Sequence, residues 1–232
     1  MGFQKLLHDF YFNIQVQEKP TISIEIGPNE GTFSQRMKQI CDPKNIWAFE
    51  ASPFVWNKYK KHHRDINFLN LAAWDKEDTI EFKLKRGEDL AVGNNSFLER
   101  KDDITFIIDG IEYIEYNLGF DKVEVKTITI DNFFKDKIKE DDKICMWIDV
   151  EGSSEMVLNG LKETLKKTHS VFIEVEHEEF WKNQWLVDDV FNFFDQNGFL
   201  LLSRDFEWYE KEPRQENFIF VNEKYLQVFA TS

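Results

Sequence analysis

Three short apolar runs, at 21–26, which is β-branched, and at 45–50 and 66–73, alternate with segments of helical pattern in the first third of the chain. Residues 32–40 put Phe33, Met37 and Ile40 on one helix face, and Pro43 stops them. Ser52 followed by Pro53 is a cap and first-turn proline, and that helix runs to about residue 62. The alternation resumes later, with strands at 143–149 and 171–176 and helices at 154–167 and 186–196. Asn197-Gly198 ends the last helix, and strands at 199–203 and 217–221 close the chain, the last one antiparallel. Repeated strand–helix units predict an α/β fold, a mostly parallel sheet covered by helices on both faces.

Between these halves the period changes. "TIEFKLK" (79–85) and "KVEVKTITI" (122–130) alternate apolar and polar residues, and 104–116 is strand-like. Period-two alternation marks half-buried antiparallel strands. We expect residues 78–130 to form an antiparallel β insertion against one edge of the site. Residues 1–20 are a helical extension, and the whole chain, 1–232, reads as one domain.

Composition narrows the partners. Hydrophobic residues are 42% and aromatics 16%, enough for a packed core. The net charge is −14, and the longest basic cluster, "NKYKKHHR", reads as a solvated helix end. Binding to nucleic acid or an anionic membrane surface is disfavoured, because either needs a basic stripe. Cys41 and Cys145 suggest neither a disulfide framework nor a Cys-based metal site, which fits a reducing cytoplasm. We expect neither a signal peptide nor a membrane span. Oligomeric state is not legible.

In an open parallel sheet ligands bind beyond the carboxyl ends of the strands. Those ends are acidic here: Glu25, Glu50, Asp149 with Glu151, and Glu174 with Glu176 and His177. Any one of them could simply be a strand end meeting water. Four such ends on one rim suit a cation, hydroxyl groups or a metal. The first turn reads "IEIGPNEG". Gly27 and Gly31 fit neither the G-x-G-x-x-G dinucleotide fingerprint nor a phosphate-binding loop ending in Lys-Ser/Thr. Glu50, at the tip of the second strand, can hold both hydroxyls of a ribose. Together the two turns point to one nucleoside-containing ligand.

"IEIGPNEGTFS", "WAFEASP", "LNLAAWDKED", "VEVKTITIDNFF", "WIDVEGSSEMVLNGL" and "SVFIEVEHEE" follow one another through residues 21–222. In that order they resemble the FkbM-type S-adenosylmethionine-dependent methyltransferases. The resemblance implies a class I methyltransferase fold, a Rossmann-like seven-stranded sheet whose last strand is antiparallel. It implies that Glu25, Gly27 and Gly31, with Asn29, line the methionine end of the methyl donor. Glu50 would take the ribose, and Ala72 and Ala73 would flank the adenine. Trp74 reads more readily as a core residue than as an adenine platform. The chain departs from the family pattern at Glu25, where Asp is common, at Pro28, where Ala is common, and at Trp147, where Lys often precedes "IDVEG". We expect Trp147 to face away from the site.

Transfer of a methyl group to a hydroxyl needs alignment and removal of a proton. The candidates for the base are Asp149, Glu151 and His177. By analogy with related sugar O-methyltransferases, Asp149 with Glu174 or Glu176 could bind Mg²⁺, and Asp149 could also meet the donor's amine. Asn94, Asn95 and Ser96, with Glu176, are candidates for binding the acceptor, a glycan or hydroxylated small molecule. A noncatalytic nucleoside-binding or scaffold protein is the alternative; a nicotinamide oxidoreductase is disfavoured by the glycine spacing. Asp131 reads as the cap of "DNFFKDK", and His8, His62, His63 and His169 as surface residues.

Overall fold

The structure, a computed structural model, describes residues 3–85, 95–101, 104–108, 111–115, 119–205 and 214–226. Helix α1 (Phe3–Glu18) leads into β1 (Ile22–Ile26), α2 (Thr32–Met37), β2 (Ile46–Phe49), α3 (Pro53–Tyr59) and β3 (Asn67–Leu69). The middle of the chain forms β4 (Ala72–Ala73), β5 (Thr79–Lys85), β6 (Ile104–Ile108), β7 (Ile111–Glu115) and β8 (Phe120–Ile128). Then come α4 (Ile130–Phe134), β9 (Ile144–Ile148), α5 (Ser154–Asn159), α6 (Lys162–Leu165) and β10 (Thr168–Glu176). Helix α7 (Val187–Gln196), β11 (Phe199–Arg204), β12 (Gln215–Asn222) and α8 (Glu223–Leu226) follow.

Seven strands form one sheet in the order β11-β12-β10-β9-β1-β2-β3. Its pairs are parallel except those of β12, which runs antiparallel to both β10 and β11. This is the expected sheet with its last strand reversed. Strand β1 is buried along its whole length although its run "ISIEI" alternates: Ile22, Ile24 and Ile26 enter one core, and Ser23 and Glu25 are buried on the other face.

Two cores form on the two faces. Ile24, Met146, Ile148 and Ile173 pack against Phe134 of α4, Leu158 of α5 and Phe194 of α7. On the other face Cys145, Trp147 and Phe172 pack against Tyr11 of α1 and Phe33 and Met37 of α2. Trp147 stacks on Phe172 with ring centroids 3.7 Å apart. A buried polar net ties α1 to the sheet: the Tyr11 hydroxyl donates to the Met146 carbonyl at 2.6 Å, and Gln15 bridges His169 and Ser170.

Several local expectations need correction. The predicted strand at 66–73 is two: β3 closes the large sheet, while β4 pairs with β8. The break falls at Asn70, whose amide donates to the carbonyls of Glu50 and Ala51 and pulls the chain out of the ladder. The predicted helix at 154–167 also divides. Gly160 ends α5, and a side chain there would strike the Trp74 carbonyl at 1.9 Å. Asp131 does not cap its own helix. Thr129 caps α4, and Asp131 instead accepts from the amides of Glu163 and Thr164 at the start of α6. His63 and His169 are buried rather than superficial, and burial pushes His169 down to about 3.

The segment expected as an antiparallel insertion supplies β5 and β8, which pair antiparallel and are joined by β4 from before the segment, in a parallel pair with β8, to make a small sheet; it also supplies a separate hairpin, β6 with β7. Phe82, Leu84 and Val125 pack with Ala72 beneath the small sheet. Residues 95–101 run along its open side, where Ser96 bridges to Lys83. Among the described residues no helix is long and apolar enough to cross a membrane.

Candidate active site

A cleft of about 450 Å³ opens at the carboxyl ends of β1, β2, β9 and β10. The turn after β1 forms part of its wall. Gly27 has φ +76°, and a Cβ there would lie 1.8 Å from the Asp149 carbonyl oxygen. The tip of β1 therefore approaches β9 so closely that only glycine fits. Asn29 follows with φ 47°. The Gly31 amide then donates to the Pro28 carbonyl at 2.6 Å. Proline serves here because it is buried, its carbonyl closes the turn, and its nitrogen needs no partner. Gly31 leaves room for the His63 ring, which would sit 2.6 Å from a Cβ.

The two acids of this end are held by backbone. Glu25 accepts from the Ser34 amide at 2.9 Å. It supplies the cap that α2 lacks, since the N-cap residue is Gly31. Glu50 accepts from the Ser52 amide at 2.8 Å and from the Asn29 amide at 3.2 Å, so it ties the tip of β2 to the glycine turn. Burial pushes both carboxyls up to about 7 despite these hydrogen bonds. Glu50, Gly27 and Asn29 line the cleft. Glu25 does not; it faces an adjoining cavity of about 330 Å³, with His8, Arg36 and Trp147. The two spaces share Gly27, Asn29 and Asp149. Trp147 was expected to face away, yet a period of two puts it on the same side as Asp149, and both line the second cavity.

Ala72 and Ala73 line the apolar end of the cleft with Phe49, Val55, Phe82 and Phe97. Trp74 is buried behind them against Phe97, at 4.7 Å between centroids, and is a core residue.

The other end of the cleft is acidic. Asp149, Glu151 and Glu174 line it together with Gln215. Asp149 and Glu174 stand side by side on neighbouring parallel strand ends. Burial pushes Asp149 up to about 6. The Gln215 amide donates to Glu174. No lysine, arginine or histidine is among the described residues that line this cleft.

Other candidates have different positions. Asn94 lies outside the described residues. Asn95 and Ser96 line the cleft, but both are engaged: Asn95 accepts from the Lys85 amide at 2.9 Å, and the Ser96 hydroxyl donates to the Glu151 carbonyl at 2.6 Å. They fasten the 95–101 segment to the small sheet and to the loop after β9. Glu176 is buried outside the cleft lining and accepts from Gln184 at 2.9 Å. Burial, then the charge of Glu151, raises it to about 8. His177 is exposed, pairs with the buried Glu216 at 3.0 Å, and does not line the cleft. Of the proposed Mg²⁺ ligands, Asp149 and Glu174 stand side by side, whereas Glu176 turns away to Gln184. Among the described residues no group of three His, Cys, Asp or Glu side chains comes together to hold a metal ion.

Sequence reading missed Gln215 and Gln184. Each is an amide whose partner is far along the chain or on another element, and no local pattern marks it. Phe82 and Phe97 were missed as cleft walls, although the alternation of 79–85 carried a signal for the first.

The family model described as "Methyltransferase FkbM domain" matches residues 25–201. A relative, the 2-O-methyltransferase NoeI of Sinorhizobium fredii, is 24% identical over 180 residues, which cover 74% of this chain and 70% of that protein. Among solved structures, an rRNA methylase from Streptococcus thermophilus matches with a TM-score of 0.50 and 9% identity over 96% of this chain and 97% of its own. At that identity the likeness concerns fold alone, and the fold is that of the class I methyltransferases. With the match to its family model spanning most of the sequence, the chain belongs to the FkbM methyltransferase family.

Proposed function

We propose that the protein transfers a methyl group from S-adenosylmethionine to a hydroxyl of a sugar, a glycan or another hydroxylated small molecule. The observation that carries this reading is Glu50: a buried carboxylate at the tip of β2, fixed by two backbone amides and lining the cleft. A carboxylate has about four acceptor sites, so two remain for the hydroxyls of a ribose. Ala72 and Ala73 leave an apolar wall for a base, and Gly27, which lines the cleft without a side chain, leaves its backbone open to the donor. The cleft volume falls within the range of about 300–1,000 Å³ usual for small-ligand sites. The donor supplies an electrophilic methyl on a sulfonium; the chain binds it, orients it and removes the acceptor's proton.

Hydroxyl chemistry accords with the acids of the β9–β10 end and with the relative named as a 2-O-methyltransferase. The net charge of −14 disfavours a nucleic-acid acceptor. The free thiols of Cys41 and Cys145 fit a reducing, cytoplasmic setting. With Glu176 turned to Gln184, only Asp149 and Glu174 of the Mg²⁺ candidates meet in the cleft, and we assign proton removal to a carboxylate. An open cleft beside Glu50 favours an enzyme over a scaffold.

The test is a methyl-transfer assay with purified protein against neutral sugars and glycans, with and without EDTA. We expect transfer to at least one neutral acceptor, undiminished by EDTA. Loss of transfer with EDTA would restore a metal to the account, and donor binding without transfer to any acceptor would favour the scaffold.

A further inference from the structure

We propose that Glu174, oriented by Gln215, is the base that takes the proton from the acceptor hydroxyl. This rests on the functional reading above and assigns a step within it.

The placement follows from the sheet. Glu50 ends β2 and Glu174 lies near the end of β10, with β1 and β9 between them. Three interstrand spacings of about 4.8 Å set them about 14 Å apart. A nucleoside held by its ribose at Glu50 and passing Gly27 directs its reactive end toward β9. The next wall along that line is Glu174 with Gln215, and both line the cleft.

The chemistry follows from the hydrogen bonds. Glu174, beside Asp149, accepts from Gln215, and its remaining lone pairs can take a proton. Glu151 is the rival. It rides on the loop after β9, whereas Glu174 stands on a strand and is held by Gln215, and rigid elements hold catalytic geometry better. His177 is turned to Glu216 and lies off the cleft. The charged groups facing the pair are Glu25 on β1, Glu50 beyond β2, Glu151 and Glu176, with His8 and Arg36 across the second cavity. Asp205 stands behind Asn217, the register partner of Glu174.

In the transfer the acceptor O–H bond breaks and the oxygen forms the new bond to methyl. The electrons of the methyl–sulfur bond return to sulfur, and the proton passes to the Glu174 carboxylate. One positive and one negative charge disappear together.

The experiment compares wild type, Glu174→Gln and Gln215→Ala in kcat with an acceptor identified in the panel and in donor Kd by calorimetry. A third readout is the pH profile of kcat. We expect Glu174→Gln to lower kcat about 10²- to 10⁴-fold, the span of general base catalysis, with donor Kd within about threefold. It should also remove the rise of kcat with pH on the acidic side, which a base in its carboxylate form produces. Gln215→Ala should lower kcat about 10- to 100-fold through misorientation, again with donor Kd kept. A loss below about 100-fold in Glu174→Gln, or an unchanged kcat in Gln215→Ala, overturns the assignment. A parallel rise in donor Kd overturns it too, since the residues would then hold the donor. Wild type inactive on every acceptor would instead overturn the functional reading itself.

Discussion

The two ends of the cleft hold their carboxylates in different ways. At the β1–β2 end, Glu25 is fixed by a backbone amide of the first turn of α2, and Glu50 by backbone amides of the turns after β1 and β2. At the β9–β10 end, Glu174 and Glu176 are fixed by side chains, Gln215 of β12 and Gln184 of the loop before α7. Backbone amides cannot be exchanged by substitution, so the first end is a stable cradle. Side-chain partners can change, so the second end is where a family can alter acceptor and chemistry while keeping the donor.

The largest effect should come from breaking the cradle. Gly27→Ala combines a left-handed backbone with a Cβ 1.8 Å from the Asp149 carbonyl. Strain at such a position alone costs about 1–3 kcal/mol, and the backbone clash adds to it. Urea unfolding should show at least that loss, and calorimetry should show donor binding abolished. An unperturbed variant would mean that β1 and β9 are not in close approach.

Glu50→Gln probes the same end more gently. Losing charged hydrogen bonds to a ribose should weaken donor binding by about 1.5–3 kcal/mol, roughly 10- to 100-fold. Calorimetry reads this directly, and equal affinity in the variant would remove the ribose from Glu50.

The pH dependence of stability sharpens the contrast, because both ends contribute. Glu25 and Glu50 are raised to about 7, Glu176 to about 8 and Asp149 to about 6, whereas unfolded carboxyls titrate near 4. Between those values the folded state holds protons that the unfolded state has released. Stability is therefore full below pH 4 as far as these groups are concerned, and falls as pH rises through about 6 to 8. The ligand-free protein should melt at a lower temperature at pH 8.5 than at pH 5.5, by about 2–4 °C for each kcal/mol lost. A flat or rising profile would show that these carboxyls are better hydrated than their burial implies.

The smallest effect belongs to the latch. Ser96→Ala removes the hydroxyl that joins the 95–101 segment to the Glu151 carbonyl, worth about 1 kcal/mol. Acceptor KM should rise severalfold while donor affinity stays. A change in donor affinity instead would place the latch at the nucleoside end.

This contrast also separates what could be read in the sequence from what could not. "ISIEIGPNEG" and "IWAFEASP" each carry a strand, its acid and its turn within a few residues, so these strands and the meeting of Glu50 with the glycine turn were legible from local pattern. The mostly parallel sheet followed from the alternation of elements, and the reversed last strand from the strand pair that closes the chain. The β9–β10 end was legible only as a set of acids. Glu174 pairs with a glutamine 41 positions away, and nothing local to either residue marks the bond. Glu176 shares the strand face of Glu174 by period, yet Gln184 holds it away from the cleft. His177 was singled out by its chemistry, but the buried Glu216 that claims it lies on another strand. Asn70 broke a strand through a side-chain bond to distant carbonyls, which propensity does not register. Side-chain partners brought together by folding are what the linear pattern left out.

The account's central claim is that the cleft beside Glu50 is a methyl-donor pocket. The direct test is calorimetric titration of the wild-type protein with S-adenosylmethionine, and with NAD⁺ as the competing dinucleotide. The account predicts one donor bound per chain and no measurable heat from NAD⁺. Absence of donor binding, or preferential binding of NAD⁺, would contradict it.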